Sequence, residues 1–173
     1  MRNSIPAAML VLVVTAVSAM AQAPTVDPMA GTWKLNVAKS TYATGTGPRA
    51  VTYRYTQRPD GFTLWVASTV DTNGNPGFSI SLRKYDGRDY PAYNVATMTP
   101  FLADNVKTNW TQASRMLDAY TTELVNKTDG TATQKVTRTM ARDGKTFTMR
   151  TYNLQGELTS TQLFEKIEPP PTS

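Results

Sequence analysis

The side chains that could perform chemistry in this chain are carboxylates, tyrosines, lysines and arginines, because the 173-residue sequence contains neither cysteine nor histidine. A Ser-His-Asp triad, a thiolate nucleophile and ordinary zinc or haem ligation are therefore excluded. Asp86 and Asp89 flank Gly87 and Arg88, and two carboxylates at this spacing suit Ca²⁺ ligation or acid–base catalysis. Aspartates beside a glycine are more often turn formers, and the turn is the interpretation that we favour.

A hydrolase or isomerase working through carboxylates and tyrosine would need acidic side chains that converge inside the fold. Asp118 and Glu123 fall within one predicted strand but on opposite faces, so they do not form such a pair. We therefore rank an enzyme last among the candidate functions, and we expect no catalytic residues, no metal and no cofactor.

Residues 1–21 are predicted to be a signal peptide. Arg2 supplies the positive start, an apolar region runs from Ala7 to about Val17, and Ala19-Met20-Ala21 is a small-x-small cleavage site. The apolar stretch is shorter than the ~18 residues of a membrane-spanning helix. Cleavage near Ala21 predicts a periplasmic or secreted protein without a transmembrane segment in its mature form. A single domain at 22–167 and a disordered Pro-rich tail at 168–173 would follow.

The net charge is +5, and removal of Arg2 with the signal peptide leaves +4. Nucleic-acid-binding proteins concentrate lysine and arginine in a patch or stripe. Here the basic residues, Arg83 and Arg138 among them, are scattered between Thr, Ser and Gln. This pattern predicts solvated strand faces and no nucleic-acid partner, although a basic surface favours weak contact with anionic components of the cell envelope.

The rest of the chain alternates short β-rich runs with Asp-Gly and Asn-Gly turns, which predicts an all-β, up-and-down antiparallel barrel of about 8–10 strands. The predicted strands cover about 30–36, 50–58, 62–71, 77–85, 105–112, 116–127, 131–142, 145–154 and 157–167. Two long connections, 37–49 and 86–104, separate some of them. Met98, Phe101 and Leu102 in the second are predicted either to form a portal over the barrel mouth or to be buried under the loop.

Alternation along the predicted strands defines two faces without deciding which is the interior. In the run at 62–70, Phe62, Leu64 and Val66 share one face, and Thr63 and Trp65 share the other.

Several segments resemble one superfamily, the calycins. Gly31-Thr32-Trp33-Lys34-Leu35 resembles the opening strand of fatty-acid-binding proteins and lipocalins, and the segment 158–166 resembles the closing strand of fatty-acid-binding proteins. Asp27 to Ser40 and Tyr85 to Pro91 resemble two motifs of exported bacterial lipocalin-like proteins of unassigned function. The resemblance implies a calycin barrel with an interior the size of a small molecule, and it implies that Trp33 plugs the closed end.

The sequence departs from the fatty-acid-binding proteins at their ligand anchor. Those proteins hold a carboxylate with an Arg-x-Tyr pair on the closing strand, where this chain has Gln162 and Phe164. Arg150-Thr151-Tyr152 restores the spacing one strand earlier, which leaves open a relocated anchor or an outward arginine beside a rim tyrosine.

We therefore expect an exported carrier or binding protein that holds a small, largely apolar molecule inside the barrel. The alternatives, in order, are a barrel packed solid by its own side chains that acts as a structural or interaction module, and the carboxylate–tyrosine enzyme. The candidate ligand-binding residues are Tyr53, Tyr55, Trp65, Trp110, Arg150 and Gln162.

Overall fold

A computed structural model describes residues 27–94 and 108–167, which form ten antiparallel strands in one closed barrel. The strands are β1 (Gly31–Tyr42), β2 (Ala50–Gln57), β3 (Thr63–Val70), β4 (Pro76–Arg83), β5 (Asp86–Asn94), β6 (Trp110–Met116), β7 (Thr121–Thr128), β8 (Thr131–Met140), β9 (Thr146–Tyr152) and β10 (Leu158–Ile167). Each strand pairs with its neighbours along the chain, and β10 pairs with β1 to close the barrel. The predicted all-β barrel is confirmed.

Some of the sequence predictions lie outside the described residues. These are the signal peptide, the Pro-rich tail, and the portal residues Met98, Phe101 and Leu102. In the described part of the chain, no helix has the length and apolar character needed to cross a membrane.

The hairpin turns follow from local sequence. Asp129 and Gly130 join β7 to β8 with φ values of 50° and 76°, and Thr128 pairs with Thr131 on either side of them. Two residues with positive φ produce a turn whose twist matches that of the flanking strands, and Asp-Gly is a preferred pair for it. Consecutive hairpins of this kind explain why each strand lies beside the next one along the chain.

The two predicted long connections were wrong in extent. β1 continues to Tyr42, with an irregularity in its pairing to β10 between Asn36 and Thr41, so only 43–49 connect β1 to β2. The strand β5 lies inside the connection predicted at 86–104. Pro91 pairs with Thr111 of β6. Gly87 and Pro91 are residue types that are depleted in strands, so the sequence predicted a loop where the structure has β5.

The predicted strand at 116–127 is interrupted by a turn. The Asp118 carboxylate accepts a hydrogen bond of 2.7 Å from the backbone N–H of Tyr120, a local bond typical of aspartate in turns. The two strands on either side of this turn are β6 and β7.

Polar and small side chains face the barrel interior along β3 and β4. Thr63, Trp65 and Ala67 are buried, as is Ser81. The apolar residues that alternate with them lie outside, and Phe78 and Leu82 are each 38% exposed. The run of Phe62, Leu64 and Val66 therefore belongs to the outer surface, and the interior is more polar than the apolar residues of these strands would suggest.

An aromatic cluster fills the closed end of the barrel. Trp33 is fully buried and meets Phe147 of β9 edge to face, with ring centroids 5.0 Å apart. Phe147 stacks on Phe164 at 4.7 Å, and Phe164 stacks on Tyr53 at 4.8 Å. Aromatic pairs in these geometries add to the hydrophobic stabilisation from burial. Trp33 thus occupies the plugging position that the resemblance implied.

The segment before β1 seals the same end with a buried carboxylate. Asp27 accepts hydrogen bonds from the Thr63 hydroxyl at 2.8 Å and the Tyr85 hydroxyl at 3.0 Å. It also accepts one from the backbone N–H of Met29 at 2.8 Å. These three donors compensate for the loss of water around the carboxylate.

Candidate functional site

A cavity of about 290 Å³ lies inside the barrel, with Tyr53 of the aromatic cluster in its wall. It opens toward the end where β3 turns into β4, since Thr69 and Ser79 are among its walls. Its lining combines aromatic, aliphatic and polar side chains: Tyr53, Trp65, Ala67, Thr69, Ser79, Trp110, Gln112, Leu124, Asn126, Gln134, Val136, Arg138, Met149, Thr151 and Gln162. Apolar walls with a few placed polar groups are typical of small-molecule sites.

The structure brings four of the six candidate residues to this cavity, namely Tyr53, Trp65, Trp110 and Gln162. Trp65 meets Trp110 edge to face with centroids 6.3 Å apart, and Tyr53 meets Trp65 at 5.6 Å. Gln162 donates a hydrogen bond of 2.9 Å to the hydroxyl of Tyr42. These contacts fix one aromatic wall and one amide of the cavity.

The other two candidates lie elsewhere. Tyr55 faces inward but is buried deeper than the cavity, where it meets Tyr53 edge to face at 6.2 Å. Arg150 is exposed, because it alternates along β9 with Met149 and Thr151, which line the cavity. Of the two alternatives for Arg150-Thr151-Tyr152, the structure shows the outward arginine, so Arg150 is not a ligand-binding residue inside the barrel.

A chain of buried amides forms part of the cavity wall. The Asn126 side-chain oxygen accepts hydrogen bonds from Gln112 at 3.0 Å and from the Trp110 indole at 3.2 Å. The Gln112 side-chain oxygen in turn accepts a short hydrogen bond from the guanidinium of Arg83. The network spans β4, β6 and β7, so it fixes Gln112 and the Trp110 ring in defined orientations.

Arg83 is completely buried behind this network. Its guanidinium carbon lies 5.2 Å from the centroid of the Trp65 ring, a cation–π distance. One nitrogen binds Gln112, whereas Nε and Nη2 have no hydrogen-bond partner among the described residues. Burial, and then the charge of Arg138, lower the pKa of Arg83, but a guanidinium stays protonated in proteins.

Arg138 is the second buried guanidinium, only 3% exposed, and it lines the cavity. Its carbon lies 5.9 Å from the centroid of the Tyr55 ring. The nitrogens Nε and Nη1 lack a hydrogen-bond partner within the described residues. The prediction that Arg83 and Arg138 belong to solvated strand faces is therefore wrong.

The buried charges of the described residues do not balance. Arg83 and Arg138 are both cationic, and Asp27 is the one buried carboxylate in this part of the chain. Asp27 is hydrogen-bonded to Thr63 and Tyr85, and no ion pair in the described ranges involves either arginine. An uncompensated buried ion costs several kcal/mol. The barrel therefore retains two guanidiniums at an energetic cost that packing alone does not explain.

Further buried donors lack partners. The hydroxyls of Ser81, Ser114 and Thr122 are buried without a hydrogen-bond partner among the described residues. The indole N–H of Trp65, which lines the cavity, also has none there. Buried polar groups are normally hydrogen-bonded, so the barrel interior has unused donor capacity.

Sequence reasoning missed Arg83 and Arg138 because it judged the basic residues by their spacing along the chain. Local alternation did contain the signal. Arg138 shares a face with Val136 and Met140, and all three are buried. An arginine on the interior face of a predicted barrel strand is the pattern that would have identified the site.

The acidic pair at the start of β5 has local partners. Asp86 accepts hydrogen bonds from the backbone N–H of Arg88 at 3.0 Å and from the Tyr90 hydroxyl at 2.8 Å, and these lower its pKa. Asp89 pairs with Lys127 at 2.8 Å. In the described ranges no three acidic side chains converge as a metal site requires. Both aspartates lie in β5, with an irregularity in the pairing to β6 between them, so the predicted turn is corrected to a strand irregularity.

Comparison with protein-family models and with curated proteins finds no match. Among solved structures, the chain is similar to a point mutant of the fluorescent protein UnaG with 10% identity and a TM-score of 0.50, over 82% of this chain and 98% of that one. It is also similar to wild-type UnaG, with 10% identity and a TM-score of 0.49, over 80% of this chain and 96% of that one. A redesigned β-barrel, mFAP1 bound to DFHBI, matches with 13% identity and a TM-score of 0.42, over 80% and 95% of the two chains. The likeness to the UnaG mutant shows the fold alone: this chain is a ten-stranded, calycin-like barrel.

Proposed function

We propose that this protein binds a small organic molecule inside its barrel. The observation that carries the proposal is the cavity of about 290 Å³, enclosed by aromatic, aliphatic and hydrogen-bonding side chains and open at one end. Ligand pockets begin at roughly 300 Å³, so the cavity is at the lower end of that range and suits a compact ligand. Burial of apolar ligand surface against Trp65 and Trp110 would supply affinity at about 25 cal/mol per Å².

The alternative of a barrel packed solid by its own side chains receives less support. Such a barrel has an interior filled throughout, whereas the interior of this protein contains a cavity of about 290 Å³. The carboxylate–tyrosine enzyme is supported least. The one buried carboxylate in the described part of the chain, Asp27, lies outside the cavity lining and is held by Thr63 and Tyr85.

We also propose that the protein acts in the periplasm or after secretion, following cleavage near Ala21. Support comes from the arrangement of Arg2, the apolar region and the small residues before the cleavage site. N-terminal sequencing of the protein recovered from the periplasm of an expressing bacterium tests this. A mature chain beginning near Gln22 is expected, and an uncleaved chain retained in the cytoplasm would contradict it.

Binding is tested with N-phenyl-1-naphthylamine, an uncharged probe whose fluorescence rises in apolar surroundings. Saturable binding with quenching of the tryptophan emission is expected, because Trp65 and Trp110 line the cavity. Ser79→Phe, which places a ring in the cavity wall, should reduce binding by tenfold or more. The control Phe78→Ser removes an exposed apolar side chain next to it and should leave binding unchanged. Loss of binding only in Phe78→Ser would locate the probe on the outer surface and contradict the proposal.

The natural ligand is sought by mass spectrometry of an organic extract of the protein, purified without detergent from its native source. A small molecule present in stoichiometric amount would support the proposal. A blank extract, together with no uptake of the uncharged probe, would contradict it and favour the packed module.

A further inference from the structure

The two buried arginines of the barrel interior have N–H donors that no described residue accepts. Four nitrogen atoms of Arg83 and Arg138 are buried without a hydrogen-bond partner among the described residues. Arg138 lines the cavity, and Arg83 lies directly behind it against Gln112 and Trp65, both of which line the cavity. An anion that enters the cavity therefore lies beside the Arg138 guanidinium, which no ion pair in the described residues neutralises.

We infer that the ligand is a small organic monoanion whose carboxylate or sulfonate group binds Arg138, with its apolar body against Trp65 and Trp110. This inference rests on the proposed ligand-binding function and specifies its chemical class. A guanidinium binds such oxyanions through two parallel hydrogen bonds. Trp65, which lines the cavity, also has an indole N–H without a hydrogen-bond partner among the described residues.

The charge of the ligand follows from the buried charges. Two arginines and one aspartate leave one positive charge without compensation in the described part of the barrel. Asp27 accepts hydrogen bonds from Thr63, Tyr85 and the backbone of Met29 and forms no ion pair with either guanidinium, but its charge acts on Arg83 and so offsets one of the two positive charges. A ligand with one negative charge makes the interior neutral. A neutral ligand leaves one excess positive charge there, and a dianion produces one excess negative charge.

The site is also distinct from the closing-strand anchor discussed for fatty-acid-binding proteins. The inward residues of β10 are Gln162 and Phe164, and the two cations come from β4 and β8 instead. The position of the acidic group is therefore determined by residues of this chain that the sequence resemblance did not assign to ligand binding.

The test compares two probes with one skeleton in the full-length mature protein. 1-Anilinonaphthalene-8-sulfonate carries one negative charge, and N-phenyl-1-naphthylamine is the same molecule without its sulfonate. The wild-type protein is expected to bind the sulfonate with an affinity about tenfold or more above that for the neutral probe, because charge-assisted hydrogen bonds stabilise the bound sulfonate. Arg138→Met should abolish this preference while retaining the neutral probe, and Arg138→Lys should restore part of it.

Arg150→Met is the matched control, because Arg150 is exposed on the outside of β9. It should leave the preference for the sulfonate unchanged.

Should Arg138→Met fail to fold, Arg83→Met provides a second removal of interior charge and should reduce the preference by a similar factor. Equal affinities of the wild-type protein for the two probes would overturn the inference and leave the binding function intact. Equal losses in Arg138→Met and Arg150→Met would also overturn it. If neither probe binds, the binding function itself fails.

Competition experiments test whether the site prefers a ligand with one negative charge or with two. Naphthalene-1-sulfonate should displace the bound sulfonate probe at about tenfold lower concentration than naphthalene-1,5-disulfonate. Stronger displacement by the disulfonate would overturn the assignment of a monoanion.

Discussion

The guanidinium of Arg83 lies against the ring of Trp65, 5.2 Å from the ring centroid, so a cation lies directly behind one wall of the cavity. A guanidinium that is completely buried is retained at a cost in stability. Buried polar atoms without hydrogen-bond partners are rare in native proteins, and a functional role is one explanation for them. The contact between Arg83 and Trp65 thus places a buried positive charge next to the wall of the cavity.

Removal of one buried cation should stabilise the ligand-free protein. Arg138→Met is expected to raise the free energy of unfolding by about 1–3 kcal/mol, since methionine fills similar space without an uncompensated charge. Urea denaturation at neutral pH measures the difference. The exposed Arg150→Met should change stability by no more than about 0.5 kcal/mol. A destabilised Arg138→Met protein would mean that the guanidinium is fully compensated in the native barrel.

The orientation of β4 gives a second prediction. Ser81→Leu should cost about 1–3 kcal/mol, because Ser81 is 1% exposed and a larger side chain overpacks the interior. Leu82→Ser should cost less than about 1 kcal/mol, because Leu82 is 38% exposed on the outer face. Thermal unfolding of the two variants measures the contrast. The reverse order of the two costs would show that the strand presents the opposite face to the interior.

Asp27 is expected to be important for stability at the closed end. Asp27→Ala should lower the free energy of unfolding by roughly 3 kcal/mol, because it leaves the Thr63 and Tyr85 hydroxyls buried without their acceptor. The exposed Asp60→Ala serves as a comparison and should have a much smaller effect. Chemical denaturation of both variants decides the question, and similar losses in the two would be inconsistent with this role.

Stability should fall at alkaline pH because of the half-buried Tyr53 and Tyr85. Burial, and then the neighbouring Tyr55, raise the pKa of Tyr53, while burial and Asp27 raise that of Tyr85. Unfolded tyrosines lose their protons near pH 10. The unfolded state then binds fewer protons than the native state, so the free energy of unfolding decreases as the pH rises above about 10. Tyr53→Phe should show a shallower decrease between pH 9 and 11, approximate limits set by that same value, and parallel curves for wild type and variant would refute this.

Much of the barrel was predictable from the sequence because hairpin turns are local. Asp129-Gly130 places a two-residue turn between β7 and β8 through its own backbone preferences. The strand β5 was not predictable in this way. Gly87 and Pro91 break local strand signals, and pairing with β4 and β6 gives the segment its structure.

The candidate site was predictable in its aromatic part. Trp65 and Trp110 could be identified because aromatic residues among polar neighbours suit a cavity wall. The interior arginines could not be identified from composition or charge. Their burial depends on which face of β4 and β8 turns inward, and barrel closure decides that across the whole molecule.

A crystal structure of the protein grown with 1-anilinonaphthalene-8-sulfonate would locate the ligand and its acidic group in one measurement. We predict the probe inside the barrel, with its rings against Trp65 and Trp110 and its sulfonate within hydrogen-bonding distance of Arg138. A probe bound only at the exposed apolar residues Phe78 and Leu82 of the outer face would contradict ligand binding inside the barrel.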